Sequence, residues 1–164
     1  MESKQYKLGA WIAILGAVLG AVGSLILFVR WYDPVMTAEI LAGRPDEKII
    51  VQYIFPALND LSILAGILWA VAAYGFFRRR TWSWPIAVIA NVLALQGSFF
   101  PMIPPVTRDL PPYSALIFIP NIILYFVLLL AVRKVDWPII LVGLFSGMAM
   151  VLSFMNGVAS TDKI

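Results

Sequence analysis

The chain has 164 residues, 62% of them hydrophobic and only 13% charged, with a formal net charge of +3. A soluble domain carries about a quarter charged residues, so the solvent for this fold is lipid. The chain contains no Cys and no His, which excludes thiolate chemistry, Cys-ligated clusters, the usual haem ligand and the commonest general base.

Five runs are apolar and long enough to be read as membrane spans, at about 8–29, 49–77, 84–103, 113–132 and 138–155. The expected fold is all-α. It is a five-transmembrane-helix bundle forming a single integral membrane domain over 1–164. The first run, "LGAWIAILGAVLGAVGSLILFV", is too long for a signal-peptide core and has no convincing cleavage site after it, so it reads as a retained span. It carries a small-residue stripe of Ala13, Gly16, Gly20 and Ser24. Gly16 and Gly20 form a GxxxG, which lets helix backbones approach closely.

The segment "WYDPVMTAEILAGRPDEK" follows. Asp33 as N-cap, Pro34 at the first helical position and Gly43 as a stop predict a short helix lying on the membrane surface. Trp31 and Tyr32 would anchor it at the headgroups.

The second span holds one carboxylate, Asp60, in an otherwise uncharged run. Gln52, Pro56, Asn59, Ser62, Gly66, Ala70 and Ala73 recur at helical spacing and predict a face turned toward protein, because lipid offers amides no partner. Asp60 lies one residue off that face, with Tyr53 on its own side. At 1.5 Å per residue it sits about 15 Å below the end of the span.

Arg78, Arg79 and Arg80 separate the second span from the third. The third offers Ala87, Asn91, Ala94 and Ser98 on one face, with Gln96 pointing elsewhere. The proline-dense "PMIPPVTRDLPP" predicts a stiff extended connector. The fourth span contributes Ser114, Asn121 and Tyr125, and the fifth contributes Gly143, Ser146, Gly147 and Ser153. Gly143 and Gly147 are a second GxxxG, read with Gly16 and Gly20 as helix-packing positions that serve either the chain's own bundle or a homodimer.

A weak internal repeat links "RRRTWSWPIAVIANVLALQGSF" to "RKVDWPIILVGLFSGMAMVLSF". Each runs from a basic cluster through Trp-Pro into an apolar span. The bundle is then two repeated helical hairpins plus one helix, or simply a chain in which common membrane grammar recurs.

Lys4 and Lys7, Arg78–Arg80, and Arg133 with Lys134 fall on one side if all five runs cross. The positive-inside rule makes that side cytoplasmic, with the N-terminus inside, the C-terminus outside and the cell membrane as the expected location. No basic stripe interleaved with aromatics lies outside the spans, so no nucleic-acid surface is expected.

An ionised Asp at a helix centre costs about 2.5–3.5 kcal/mol to insert, so Asp60 calls for a purpose. It is read as a site that takes a cationic group or a proton, as glue between helices, or as a catalytic carboxylate, though intramembrane acid proteolysis needs two aspartates. Counted along the helices, Asp60, Asn59, Asn121 and Gln96 fall within about 10–15 Å of the outer ends of their spans. With Tyr53, Tyr125 and Asn91 they form the candidate ligand-binding set. The leading expectation is a protein that binds or transports a small amphipathic or cationic molecule, or a lipid, in a polar pocket of the outer half. The alternative is a non-catalytic accessory or interaction subunit of a larger membrane complex. No catalytic residue, metal site or cofactor is expected. Only one carboxylate lies in a span, and a serine nucleophile would find no His and no Lys at membrane depth to act as its base.

Overall fold

The structure, a computed structural model, describes residues 1–37, 45–102 and 111–161. Among them every regular element is helical. The elements are α1 (Ser3–Ala17), a π-helical turn π1 (Val18–Gly23), α2 (Ser24–Thr37), α3 (Pro45–Phe77) and α4 (Ser83–Phe99). A 3-10 turn (Phe100–Met102), α5 (Ala115–Val127), a second π-helical turn π2 (Leu128–Arg133) and α6 (Trp137–Thr161) complete them.

Among the described residues, four helices are long and apolar enough to cross a membrane: Ser3–Arg30, Gln52–Phe77, Ser83–Met102 and Ala115–Arg133. The chain is therefore an integral membrane protein with an all-α bundle, since a helix satisfies its own backbone where water is excluded. The region expected as a fifth span folds as α6. Its described apolar stretch, Trp137–Gly147, is by itself shorter than a crossing requires.

Two local expectations need correction or lie out of view. The chain does not break at Asp33 to start a surface helix, because α2 continues unbroken through Thr37. Pro34 removes one backbone donor without ending the helix. Residues 38–44 and 103–110 lie outside the described residues, and with them most of the proposed surface helix and of the proline-dense connector. Pro45 opens α3, where its missing N–H costs nothing. Pro56 and Pro120 sit inside α3 and α5 without ending them.

The α1–π1–α2 rod lies along α3, α3 and α4 form an antiparallel hairpin, and α5 packs on α4. The core is built from Trp69, Phe76, Leu128 and Val132 set among Ala10, Ala13, Ala72, Ala87 and Ala90. Small residues dominate because dispersion at close range, rather than a drive to leave water, holds helices together in lipid. Gly9 leaves room for the Phe76 ring, and Gly16 leaves room for the fully buried Trp69.

The two hairpins of the sequence repeat differ in packing. The α3–α4 hairpin is packed along its length, whereas over Trp137–Gly147 of α6 Ile140 is buried and the other side chains are exposed. Their turns agree better. Arg79 (φ 52°) and Lys134 (φ 57°) are both left-handed residues inside a basic cluster. At the first turn the Arg80 N–H donates to Gly75 O (2.8 Å) and the Arg79 N–H to Phe76 O (3.0 Å). That pair of bonds is the Schellman closure of a helix end.

The basic clusters gather at one end of the bundle. Arg79 Nη2 donates to Ser3 Oγ (3.3 Å), and the Arg133 guanidinium lies 5.7 Å from the centre of the Trp84 ring.

Candidate functional site

At the end away from the basic clusters, four helices enclose a cavity of about 40 Å³. Its polar lining is Ser24 from α2, Asn59 and Ser62 from α3, Ser98 from α4, and Tyr113 with Ser114 just before α5. Leu27, Phe28, Phe55 and Ile117 supply apolar walls. Among the described residues no formally charged side chain lines it.

The serines arrive there for readable reasons. Ser24 is one turn beyond Gly20, on the stripe that faces α3. Ser62 and Ser98 lie on the buried faces of α3 and α4, each 2% exposed. Ser98 spends its proton locally, donating to Ala94 O at 2.6 Å, as serines inside helices commonly do. Ser24 does not. It follows π1, where the Ser24 N–H is shared between Ala21 O and Leu19 O. Among the described residues, Ser24 Oγ and Ser114 Oγ are buried with no hydrogen-bond partner.

Beneath this cavity lies a buried amide pair. Asn91 Nδ2 donates to Asn121 O (3.0 Å) and, at longer range, to Asn121 Oδ1 (3.4 Å). Asn121 Nδ2 donates to Ile117 O (2.9 Å), on the residue that walls the cavity. Both asparagines are fully buried, and this geometry clamps α4 to α5. Asn91 Oδ1 has no partner among the described residues.

The expected cluster of Asp60, Asn59, Asn121 and Gln96 is thus divided. Asn59 lines the cavity, Asn121 pairs with Asn91 below it, and Gln96 is half-buried off the α4 face that packs. Asp60 is exposed and does not line the cavity. Tyr53, also expected at the site, is exposed on the Asp60 side. Tyr125 is half-buried and turns its hydroxyl toward α6, 3.4 Å from where a Cβ on Gly143 would stand.

The reason lies in the repeat of α3. Its packed face runs Phe55, Asn59, Ser62, Gly66, Trp69, Ala73 and Phe76, alternating steps of four and three. That is the spacing of a helix wound against a partner. Gln52 and Ala70, expected on this face, are exposed. The opposite series, Tyr53, Ala57, Asp60, Leu64, Ile67, Val71 and Tyr74, is exposed throughout. A one-residue step is a rotation of about 100°, enough to put Asn59 in the wall and Asp60 outside.

Sequence reasoning missed Ser24 and Ser114 as a pair with unsatisfied hydroxyls. In the sequence they are small or polar face residues, and only the fold shows that their oxygens lack partners among the described residues. It also missed Trp69, whose indole Nε1 is buried without a partner among the described residues. Of the helix-packing glycines, Gly16 and Gly20 pack inside the chain, while a Cβ on Gly147 would meet nothing within 4 Å. Compared with known protein families, with curated proteins and with solved structures, the chain matches none.

Proposed function

We propose that this integral membrane protein binds a small polar or cationic solute, or the head of an amphipathic one, in the hydroxyl-lined cavity. The observation that carries the reading is the pair of orphan hydroxyls. Ser24 Oγ and Ser114 Oγ are buried without partners, and both residues line the same cavity of about 40 Å³. A buried polar group left unpaired costs about 1–3 kcal/mol, so an occupant that hydrogen-bonds to both recovers that cost. The volume suits a group the size of an ammonium or a few waters. A longer molecule would place only its head there and its chain between helices. By the positive-inside rule, the basic end faces the cytoplasm of the cell membrane and the cavity lies in the outer half.

Native mass spectrometry of the wild type beside Ser24→Ala with Ser114→Ala tests this. Retention of a small molecule by the wild type and its loss in the double variant is the expected result. A wild type that carries only water, and whose thermal unfolding responds to no added small cation or amide, overturns it.

A further inference from the structure

We propose that the Asp60 stripe of α3 is a docking face for a transmembrane helix of another protein, one carrying a lysine or arginine at the depth of Asp60. Asp60 is exposed, about 12 Å along the helix from Gln52, the first residue of this crossing helix. Its stripe neighbours Leu64, Ile67 and Val71 are exposed as well. In a bilayer this sets a carboxylate against hydrocarbon, which supplies neither counter-charge nor hydrogen bond. Ionisable groups within spans otherwise face a bundle interior or pair with one another.

The sign of the missing partner follows from where the chain keeps its cations. Gln52–Phe77, Ser83–Met102 and Ala115–Val132 hold no Lys or Arg, and none lies between Lys7 and Arg30 in the first crossing helix. The described crossing helices therefore bring no positive charge to the depth of Asp60. A second copy adds another carboxylate and no cation, so docking stripe to stripe would set like charges together. Charge complementarity selects a different chain of opposite sign. The four-and-three spacing of the stripe suits a helix pair crossing at a shallow angle, which would cover Leu64, Ile67 and Val71 at the same time. This inference stands apart from the cavity, which Asp60 does not line.

The test uses the full chain in liposomes with synthetic Leu/Ala spanning peptides, labelled for energy transfer. One peptide carries a single Lys about 12 Å from one end, and its control has Leu there. The Lys peptide is expected to associate about tenfold more tightly, the factor that about 1.4 kcal/mol gives. Asp60→Asn should erase the preference. Equal association of both peptides with the wild type overturns the proposal, whatever the variant does. The chain has no Cys, so Leu64→Cys introduces a unique thiol. It should cross-link to a thiol on the Lys peptide. Efficient cross-linking to a second copy instead also overturns the proposal.

Discussion

Gly20 and Gly66 meet backbone to backbone. A Cβ built on Gly20 would stand 2.7 Å from both the Cα and the N of Gly66, and one built on Gly66 would run into the backbone of Gly20 and Ala21. Here the first rod crosses α3, within the π turn that ends just before Ser24. No side chain is available to yield, so a methyl group must push the helices apart.

Gly20→Ala and Gly66→Ala should therefore each destabilise the protein by about 1–3 kcal/mol, the usual range for overpacking. Gly147→Ala, in the second GxxxG, meets open space and should be neutral or gain about 0.5–1 kcal/mol from helix propensity. Unfolding of the three variants in one detergent checks the contrast. Equal losses would show that α6 is packed as tightly as the first rod.

The amide pair makes a different prediction. Asn91 and Asn121 clamp α4 to α5 and stand outside the cavity lining. A double-mutant cycle with Leu at both positions should give a coupling of about 0.6 kcal/mol, and no more than about 1.7. Solute retention should survive Asn91→Leu wherever the fold survives. Loss of the solute with intact unfolding behaviour would move Asn91 into the site.

Much of this fold was legible because its cause is periodic. The α4 face of Ala87, Asn91, Ala94 and Ser98 is buried as its spacing predicts, and the small-residue stripe of the first span packs as expected. Asp60 was harder to place. Asn59 and Asp60 are adjacent in sequence, and a helix with a 3.5-residue repeat needs its partner's position to say which of two neighbours faces inward. The break expected at Asp33 rested on local capping chemistry, whereas α2 arrives at Asp33 as an already formed helix and runs on through Thr37. The glycine pattern of α6 resembles that of the first span, and only tertiary structure shows that Gly20 meets a backbone while Gly147 meets nothing within 4 Å among the described residues.

Arg79 closes α3 in a position that ordinarily favours glycine. At φ 52° its Cβ crowds the following carbonyl, a strain of about 1–2 kcal/mol that glycine lacks. Arg79→Gly should stabilise the protein by about 1 kcal/mol, because the exposed 3.3 Å contact with Ser3 that it gives up is worth little. Arg78 and Arg80 remain to fix orientation. A rise in unfolding midpoint with unchanged protease accessibility of the termini is the expected result.

Ser24→Ala separates a binding hydroxyl from a structural one. If Ser24 Oγ held helices together, its removal would cost stability with or without a solute. Its oxygen is instead buried and unpaired among the described residues, so deleting it should leave the empty protein unchanged or more stable by about 1 kcal/mol. Ser98→Ala, which removes a buried hydroxyl already bonded to Ala94 O, should by contrast lower the stability of the empty protein by about 0.5–1.5 kcal/mol. A bound solute at a hundredfold excess over its Kd adds about 2.7 kcal/mol to the wild type. Ser24→Ala should lose most of that gain. The variant would then melt higher than the wild type without solute and lower with it. That crossing of the two curves is the outcome a purely structural serine does not produce, and parallel curves would remove Ser24 from the site.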